Sequence, residues 1–248
     1  MLVGVGLYFK NYSIDIYYMN RYTLTDQIFA VPNADKGSWV ESWDEKEHGY
    51  GRLVHPFKSL FTSPPNSGKT TTMINCFLRI QTSSRPFKTL IIIQPSTSKE
   101  WDSLDPTLIL HDIPDAESLV DEDNGKTCII IDDYDLSKLS KVQQQRFSKL
   151  FRYIGSHHNI SIMLSYQSFF DVPALLRKCV GYFFLWKCRN RDEINIIAKR
   201  TGYNKETFRY LFDTYIETRR DFILVDCLLD QIRLNLFHVI PKEEYEYL

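Results

Sequence analysis

The sequence predicts an α/β fold, with a mainly parallel central sheet flanked by helices and extended at one edge by a C-terminal β-hairpin. Three observations carry this. Continuous apolar runs at 88–95 (KTLIIIQP), 128–135 (CIIIDDYD), 159–167 (NISIMLSYQ) and 180–187 (VGYFFLWK) read as strands covered on both faces. Helix-period segments separate them, which implies right-handed crossovers between parallel strands. Past residue 190 the rhythm changes to two helices and then two strands.

Residues 1–50 differ from the rest. NYSIDIYYMNRYTLTDQIFAVP has weak periodicity, and WVESWDEKEHGYG is acidic, aromatic and closed by glycines. This predicts an irregular N-terminal arm, ending in a linker, that docks on a neighbouring subunit or scaffold or stays poorly ordered. Residues 51–248 then form the main domain. PFKSLFTS (56–63) reads as its first strand, and GKTTTMINCFLRIQ as a helix with Met73, Phe77, Leu78 and Ile80 on its buried side. KVQQQRFSKLFRYIGSH is a second helix that buries Val142, Phe147, Leu150 and Phe151. RDEINIIAKRTGY and NKETFRYLFDTYI are two more, the first stopped at Gly202. RRDFILVDC and QIRLNLFHVI form the closing strand pair, joined through LLDQ.

Composition removes several classes of function. A net charge of -1 lacks the general basic footprint of a non-specific nucleic-acid binder, although a few residues lining a pore remain compatible with DNA contact. The five cysteines are scattered, odd in number and never in CxxC spacing, which argues against a zinc site or disulfide framework and for a reducing compartment. No apolar run approaches the ~20 residues of a membrane-spanning helix. The opening MLVGVGLYF lacks the basic lead-in and cleavage site of a signal peptide.

The chemistry concentrates at three predicted strand ends. Ser63, Pro64, Pro65, Asn66, Ser67, Gly68, Lys69 and Thr70, followed by Thr71, match the phosphate-loop spacing G-x-x-x-x-G-K-[ST] except at the first position. Such a loop points backbone N–H groups at phosphate oxygens at a helix N-terminus. Gly68 allows close backbone approach, Lys69 reaches the β- and γ-phosphates, and Thr70 holds Mg²⁺. Asn66 suits a bend because it tolerates left-handed geometry. Ser63 departs from the pattern, since serine does not take positive φ as readily as glycine. The strand-to-helix setting is the context such a loop requires. It implies ATP and Mg²⁺ as ligands.

Asp132 and Asp133 end an apolar strand about sixty residues further on. Asp132 is placed to hold Mg²⁺, directly or through water. Asp133 is placed either to polarise the attacking water as general base or to cap the following turn. Gln167 ends the strand NISIMLSYQ. If that strand lies between the phosphate-loop strand and its neighbour, the amide faces the γ-phosphate and orients water; otherwise it is a strand-end hydrogen bonder.

Together these residues resemble the genome-packaging ATPases of large DNA viruses, the poxvirus type and its relatives, within the FtsK–HerA superfamily of phosphate-loop NTPases. The specific part is SIMLSYQSFFDVPALLRKCVGYFFLWK: a strand ending in Gln167, the aromatic turn Phe169–Phe170, Pro173, a helix bearing Arg177, and another apolar strand. The resemblance covers roughly residues 56–240. It departs at Ser63 and at Asp133, where glutamate is commoner. It implies an ATP-driven double-stranded DNA translocase that packages a viral genome, working as a homo-oligomeric ring of five or six subunits. Nucleotide would sit between neighbours, and an arginine of the adjacent subunit would complete the site. Arg177 is the first candidate, with Arg152 and Arg146 as rivals; each also reads as a surface helix residue. The pore would hold DNA through phosphate contacts from Lys138, Lys141 or the segment 96–101. Other implied partners are capsid-vertex or membrane-associated viral proteins, and the implied place is the virion or the cytoplasmic assembly site. The alternatives are another phosphate-loop motor of helicase type, a small-molecule kinase, or a non-catalytic assembly protein that keeps the fold. A kinase would need an arginine-bearing lid, and a helicase further nucleic-acid motifs; the sequence shows neither.

Overall fold

A computed structural model describes residues 53–81, 86–96, 99–119, 126–154 and 158–248. The arm expected over residues 1–50 lies outside them. The described chain builds one nine-stranded sheet in the order β3-β2-β4-β5-β1-β6-β7-β8-β9. The strands are β1 (Lys58–Thr62), β2 (Thr89–Ile93), β3 (Leu108–Leu110), β4 (Thr127–Ile131), β5 (Ile160–Tyr166), β6 (Tyr182–Trp186), β7 (Phe222–Asp226), β8 (Gln231–Leu234) and β9 (His238–Val239). Pairing is parallel from β3 through β6, and antiparallel from β6 onwards. The helices are α1 (Lys69–Gln81), α2 (Lys141–Lys149), the short α3 (Ala174–Arg177), α4 (Arg191–Thr201) and α5 (Lys205–Thr214).

The apolar runs are strands because both faces of the sheet are covered, and alternate residues feed two cores. Ile92, Ile130, Met163 and Phe184 meet Met73, Phe77 and Ile80 of α1. Ile93, Ile131, Leu164 and Phe183 meet Phe147, Ile194 and Phe208 of α2, α4 and α5 on the other face. Phe61 stacks on Phe184 with ring centroids 4.0 Å apart, which locks β1 to β6 directly beneath the loop that follows β1.

Helix boundaries follow local chemistry. Ser140 and Gln143 form a reciprocal capping box at the start of α2. The side chains of Asn190 and Asn204 cap α4 and α5. Gly202 closes α4 at φ 85°, as its position in the sequence indicates.

Three details differ from expectation. Val142 is 58% exposed, not buried: it lies in the first turn of α2, off the face that carries Phe147. The helix expected to run through residue 157 ends as α at Lys149 and continues as a π-helical turn over Leu150–Ile154. The strand expected over QIRLNLFHVI breaks into β8 and β9, so the hairpin becomes three antiparallel strands, and β3 adds an edge strand that sequence periodicity missed. At three residues β3 is too short to show a period.

The antiparallel extension is pinned by a buried ion pair. Arg233 of β8 donates to Asp226 of β7 at 3.0 Å, both side chains being fully buried. Asp226 also accepts the backbone N–H groups of Leu228 and Leu229, which shapes the β7–β8 turn. Asp226→Ala would strand the Arg233 guanidinium in the core and is expected to cost roughly 3–5 kcal/mol, read as a lower urea midpoint.

Candidate active site

The phosphate loop leaves the C-terminal end of β1, where parallel α/β sheets place their ligands. Ser63 donates its N–H to the Tyr166 carbonyl at 3.2 Å, tying the loop to β5. Ser67 Oγ donates to the Pro64 carbonyl at 2.6 Å, closing the bend. The left-handed positions of the loop are Asn66 (φ 60°) and Gly68 (φ 88°), and Ser63 is not one of them. The serine therefore meets no backbone penalty where the pattern has glycine. At Gly68 an added Cβ would touch nothing within 4 Å, so conformation alone favours glycine there.

β5 lies between β1 and β4, so the acids at the end of β4 stand two strands from the loop. Asp132 donates its backbone N–H to the Ile93 carbonyl at 3.0 Å. Its Oδ2 lies 3.4 Å from Thr70 Oγ1, which donates to it. Lys69 is 7% exposed and its Nζ donates to Asp133 Oδ1 at 2.5 Å. Asp133 adopts φ 46°, a left-handed conformation that aspartate tolerates better than most residues. Ser165 of β5 organises the pair: it accepts the Asp133 N–H at 2.9 Å, and its hydroxyl donates to Asp132 Oδ1 at 2.5 Å. Burial pushes the Asp132 carboxyl above its ordinary pKa, the Ser165 hydrogen bond opposes that shift, and the Asp133 charge adds to it.

These groups line one cavity of about 670 Å³. All of Pro64 to Thr71 borders it, as do Asp132 and Asp133. Ser63, placed in the same set by the sequence, instead borders an adjoining cavity of about 380 Å³. Gln167 borders that second cavity too, beside Lys187, Arg189 and Glu193. The condition set for Gln167 is met, since β5 does separate β1 from β4, but the structure does not bring its side chain into the phosphate cavity. Glu193 braces the turn after Gln167 by accepting from Ser168 Oγ at 3.0 Å and from the Phe169 N–H.

The arginine candidates lie outside the phosphate cavity. Arg177 packs over the Phe169 ring at 5.4 Å and donates to the Phe169 carbonyl at 3.4 Å. Arg146 faces Asp115 at 3.9 Å, and Arg152 lies exposed on the π-helical turn. Sequence reasoning missed Gln94, Pro95, Arg220 and Ser165, and placed Ser96 and Glu100 in a segment read as a candidate pore contact. Gln94, Pro95, Ser96, Glu100 and Arg220 border the phosphate cavity, and Ser165 aligns the acids. Gln94 does carry a signal, as a polar residue that ends an apolar strand like Asp132 and Gln167. Arg220 carries none, because it reaches the cavity through a turn held by Asp221, which accepts the N–H groups of Glu217 and Thr218.

Thr70 and Asp132 supply hard oxygen donors side by side, the donor chemistry Mg²⁺ takes when phosphates complete its coordination. Among the described residues no cluster of three or more His, Cys, Asp or Glu could hold a metal, and no helix is long and apolar enough to cross a membrane.

A loop of this spacing between a parallel strand and a helix, facing a strand that ends in two acids, defines a phosphate-loop NTPase fold. Neither protein-family profiles nor curated protein sequences give a match to the chain. Three-dimensional comparison does. The genome packaging NTPase B204 of Sulfolobus turreted icosahedral virus 2, in complex with sulfate, superposes with a TM-score of 0.56 at 15% identity, over 73% of this chain and 96% of that one. The DNA-packaging ATPase B204 of Sulfolobus turreted icosahedral virus gives 0.54 at 16% identity, over 73% and 97%. The conjugation coupling protein TcpA of pCW3, as a monomer with ATPγS, gives 0.54 at 12% identity, over 86% and 73%. At such identities the likeness is one of fold, and it is the fold that the packaging-ATPase resemblance implied.

Proposed function

We propose that this chain is an ATP-driven double-stranded DNA translocase that packages a viral genome, hydrolysing ATP in the cavity between the phosphate loop and Asp132–Asp133. One observation carries the hydrolytic part: Lys69, Thr70, Asp132 and Asp133 converge on a single cavity at the C-terminal end of the sheet. The DNA part rests on the fold shared with two DNA-packaging enzymes and on the sequence around Gln167.

In this reading the loop N–H groups and Lys69 bind the β- and γ-phosphates. Thr70 and Asp132 hold Mg²⁺, which when bound neutralises charge on the phosphate oxygens. Asp133 accepts the proton of a water whose oxygen bonds to the γ-phosphorus. The bond from that phosphorus to the β,γ-bridging oxygen breaks, and ADP leaves with the electron pair. Ser165 keeps the two carboxylates apart in role: its hydroxyl occupies one oxygen of Asp132 while its lone pair anchors the backbone of Asp133.

A residue that acts on a neighbour's nucleotide must stand outside its own phosphate cavity. Arg177, Arg152 and Arg146 all meet that requirement, with Arg177 preferred because its short helix follows the Gln167 turn. Five or six subunits would close the ring. Lys138, Lys141 or the segment 96–101 would line the pore, and capsid-vertex or membrane-associated viral proteins would seat the ring at the assembly site. A non-catalytic assembly protein that keeps the fold would draw on Ser63, where the loop pattern has glycine, and on the N-terminal arm. The φ of Ser63 is not left-handed, so the serine gives that alternative no support.

The test is ATP hydrolysis by purified oligomer with and without DNA. Double-stranded DNA should raise turnover several-fold, and single-stranded DNA should raise it less. A rate indifferent to duplex DNA across all oligomeric fractions would leave an ATPase without the DNA function.

A further inference from the structure

Gln94 follows the last residue of β2 and is 2% exposed. Its backbone is fully used: the N–H donates to the Leu110 carbonyl at 3.0 Å, and its carbonyl faces His111 Nδ1 at 3.1 Å. Its side-chain nitrogen is different, because buried Nε2 finds no acceptor among the described residues. A buried donor left without an acceptor is costly, and such groups in a folded protein call for an explanation.

Position supplies one. Leu90 and Ile92 of β2 face α1, whereas Ile91 and Ile93 face the opposite core. Strand alternation therefore sends the Gln94 side chain to the α1 side, which the phosphate loop also occupies. β2 pairs with β4 in the register Ile93↔Ile131, so Gln94 stands level with Asp132. Gln94 borders the phosphate cavity together with Asp132, Asp133 and Lys69. Gln167, the glutamine the sequence singles out, borders the other cavity.

We infer that Gln94 is a catalytic residue of this site, its carboxamide N–H donating to a γ-phosphate oxygen of bound ATP. The inference rests on the reading of the cavity as an ATP-hydrolysing site and adds a group to it. The amide neither takes nor gives a proton. It holds the γ-phosphoryl group while the water oxygen bonds to phosphorus, the bridging P–O bond breaks towards ADP, and Asp133 takes the proton. Nε2 is covered in the free protein, so the carboxamide turns about its terminal bond to present it, and the hydrogen bond made in the transition state offsets the cost of that turn.

The experiment is Gln94→Leu, with Gln94→Glu beside it, assayed for ATP turnover, ADP affinity and Tm. Leucine keeps the bulk and removes a donor that the protein itself does not satisfy. Turnover is expected to fall roughly 100-fold. ADP affinity should stay within about twofold, since ADP lacks the contacted group, and Tm should hold or rise. A residue with only a structural role would give the reverse: lower Tm and unchanged turnover. Gln94→Glu places a carboxylate against the γ-phosphate and should be as inactive as the leucine variant. Wild-type turnover in Gln94→Leu, a fall in its Tm, or a loss of ADP binding like that of Lys69→Ala would each overturn the assignment. If the wild-type protein itself fails to hydrolyse ATP, the reading of the cavity fails first. An active wild type with an equally active Gln94→Leu would defeat the Gln94 assignment alone.

Discussion

Lys69→Ala is expected to lower ATP hydrolysis by roughly a thousandfold and to weaken ATP binding in an equilibrium titration. The size follows from the setting. The ammonium is almost buried beside the cavity, so its attraction for phosphate charge is little screened, and phosphate replaces Asp133 as its partner. The fold should survive. The partner that Lys69 leaves, Asp133, has a 44% exposed side chain and stays hydrated without it, so thermal unfolding should shift little. Loss of hydrolysis with an unchanged Tm would separate a functional lysine from a structural one. Unchanged hydrolysis would remove the phosphate-site assignment.

Asp133→Asn should produce the second large effect: turnover down by roughly 10²–10⁴, with ATP still bound. Asparagine is the informative replacement because the backbone at residue 133 is left-handed, and asparagine shares aspartate's tolerance of that region. The Ser165 contact to the backbone N–H also survives the change. The variant therefore removes the proton acceptor and the negative charge that pairs with Lys69, while its carboxamide oxygen keeps an acceptor beside the ammonium. Alanine would add backbone strain and mix the two causes. Single-turnover hydrolysis beside ATP titration makes the distinction. A variant that still hydrolyses at the wild-type rate would return Asp133 to the bland reading, a carboxylate at the turn after β4.

The parts of the molecule legible in the sequence are those where one signal dominates. Ile91, Ile129 and Ile162 sit in continuous apolar runs because both sheet faces are covered, and such runs read as strands without further context. Gly202 stopped α4 as expected because few residues other than glycine accept its φ. The loop was legible because phosphate loops keep a spacing fixed by the phosphates they wrap, and the meaning of Ser63 waited only for a backbone angle. Other features depend on neighbours distant in the chain. Val142 lies in the first turn of α2, turned from the face that carries Phe147 and exposed. Ser165 looks like an ordinary strand serine until β5 is placed beside β4. Gln94 and Gln167 are equivalent in sequence, each a glutamine ending an apolar strand. Strand alternation sends both to the α1 side, Gln94 with Ile92 and Gln167 with Met163, and only the cavity that each borders tells them apart.

The most direct measurement is of movement along DNA. A third strand annealed to a duplex is released when a motor travels through it, and release can be followed with purified oligomer, Mg²⁺ and ATP. The wild-type protein should displace the strand, while Asp133→Asn should bind ATP and leave it in place. A wild-type ring that hydrolyses ATP but never displaces the strand would contradict translocation and leave an ATPase whose work is done elsewhere.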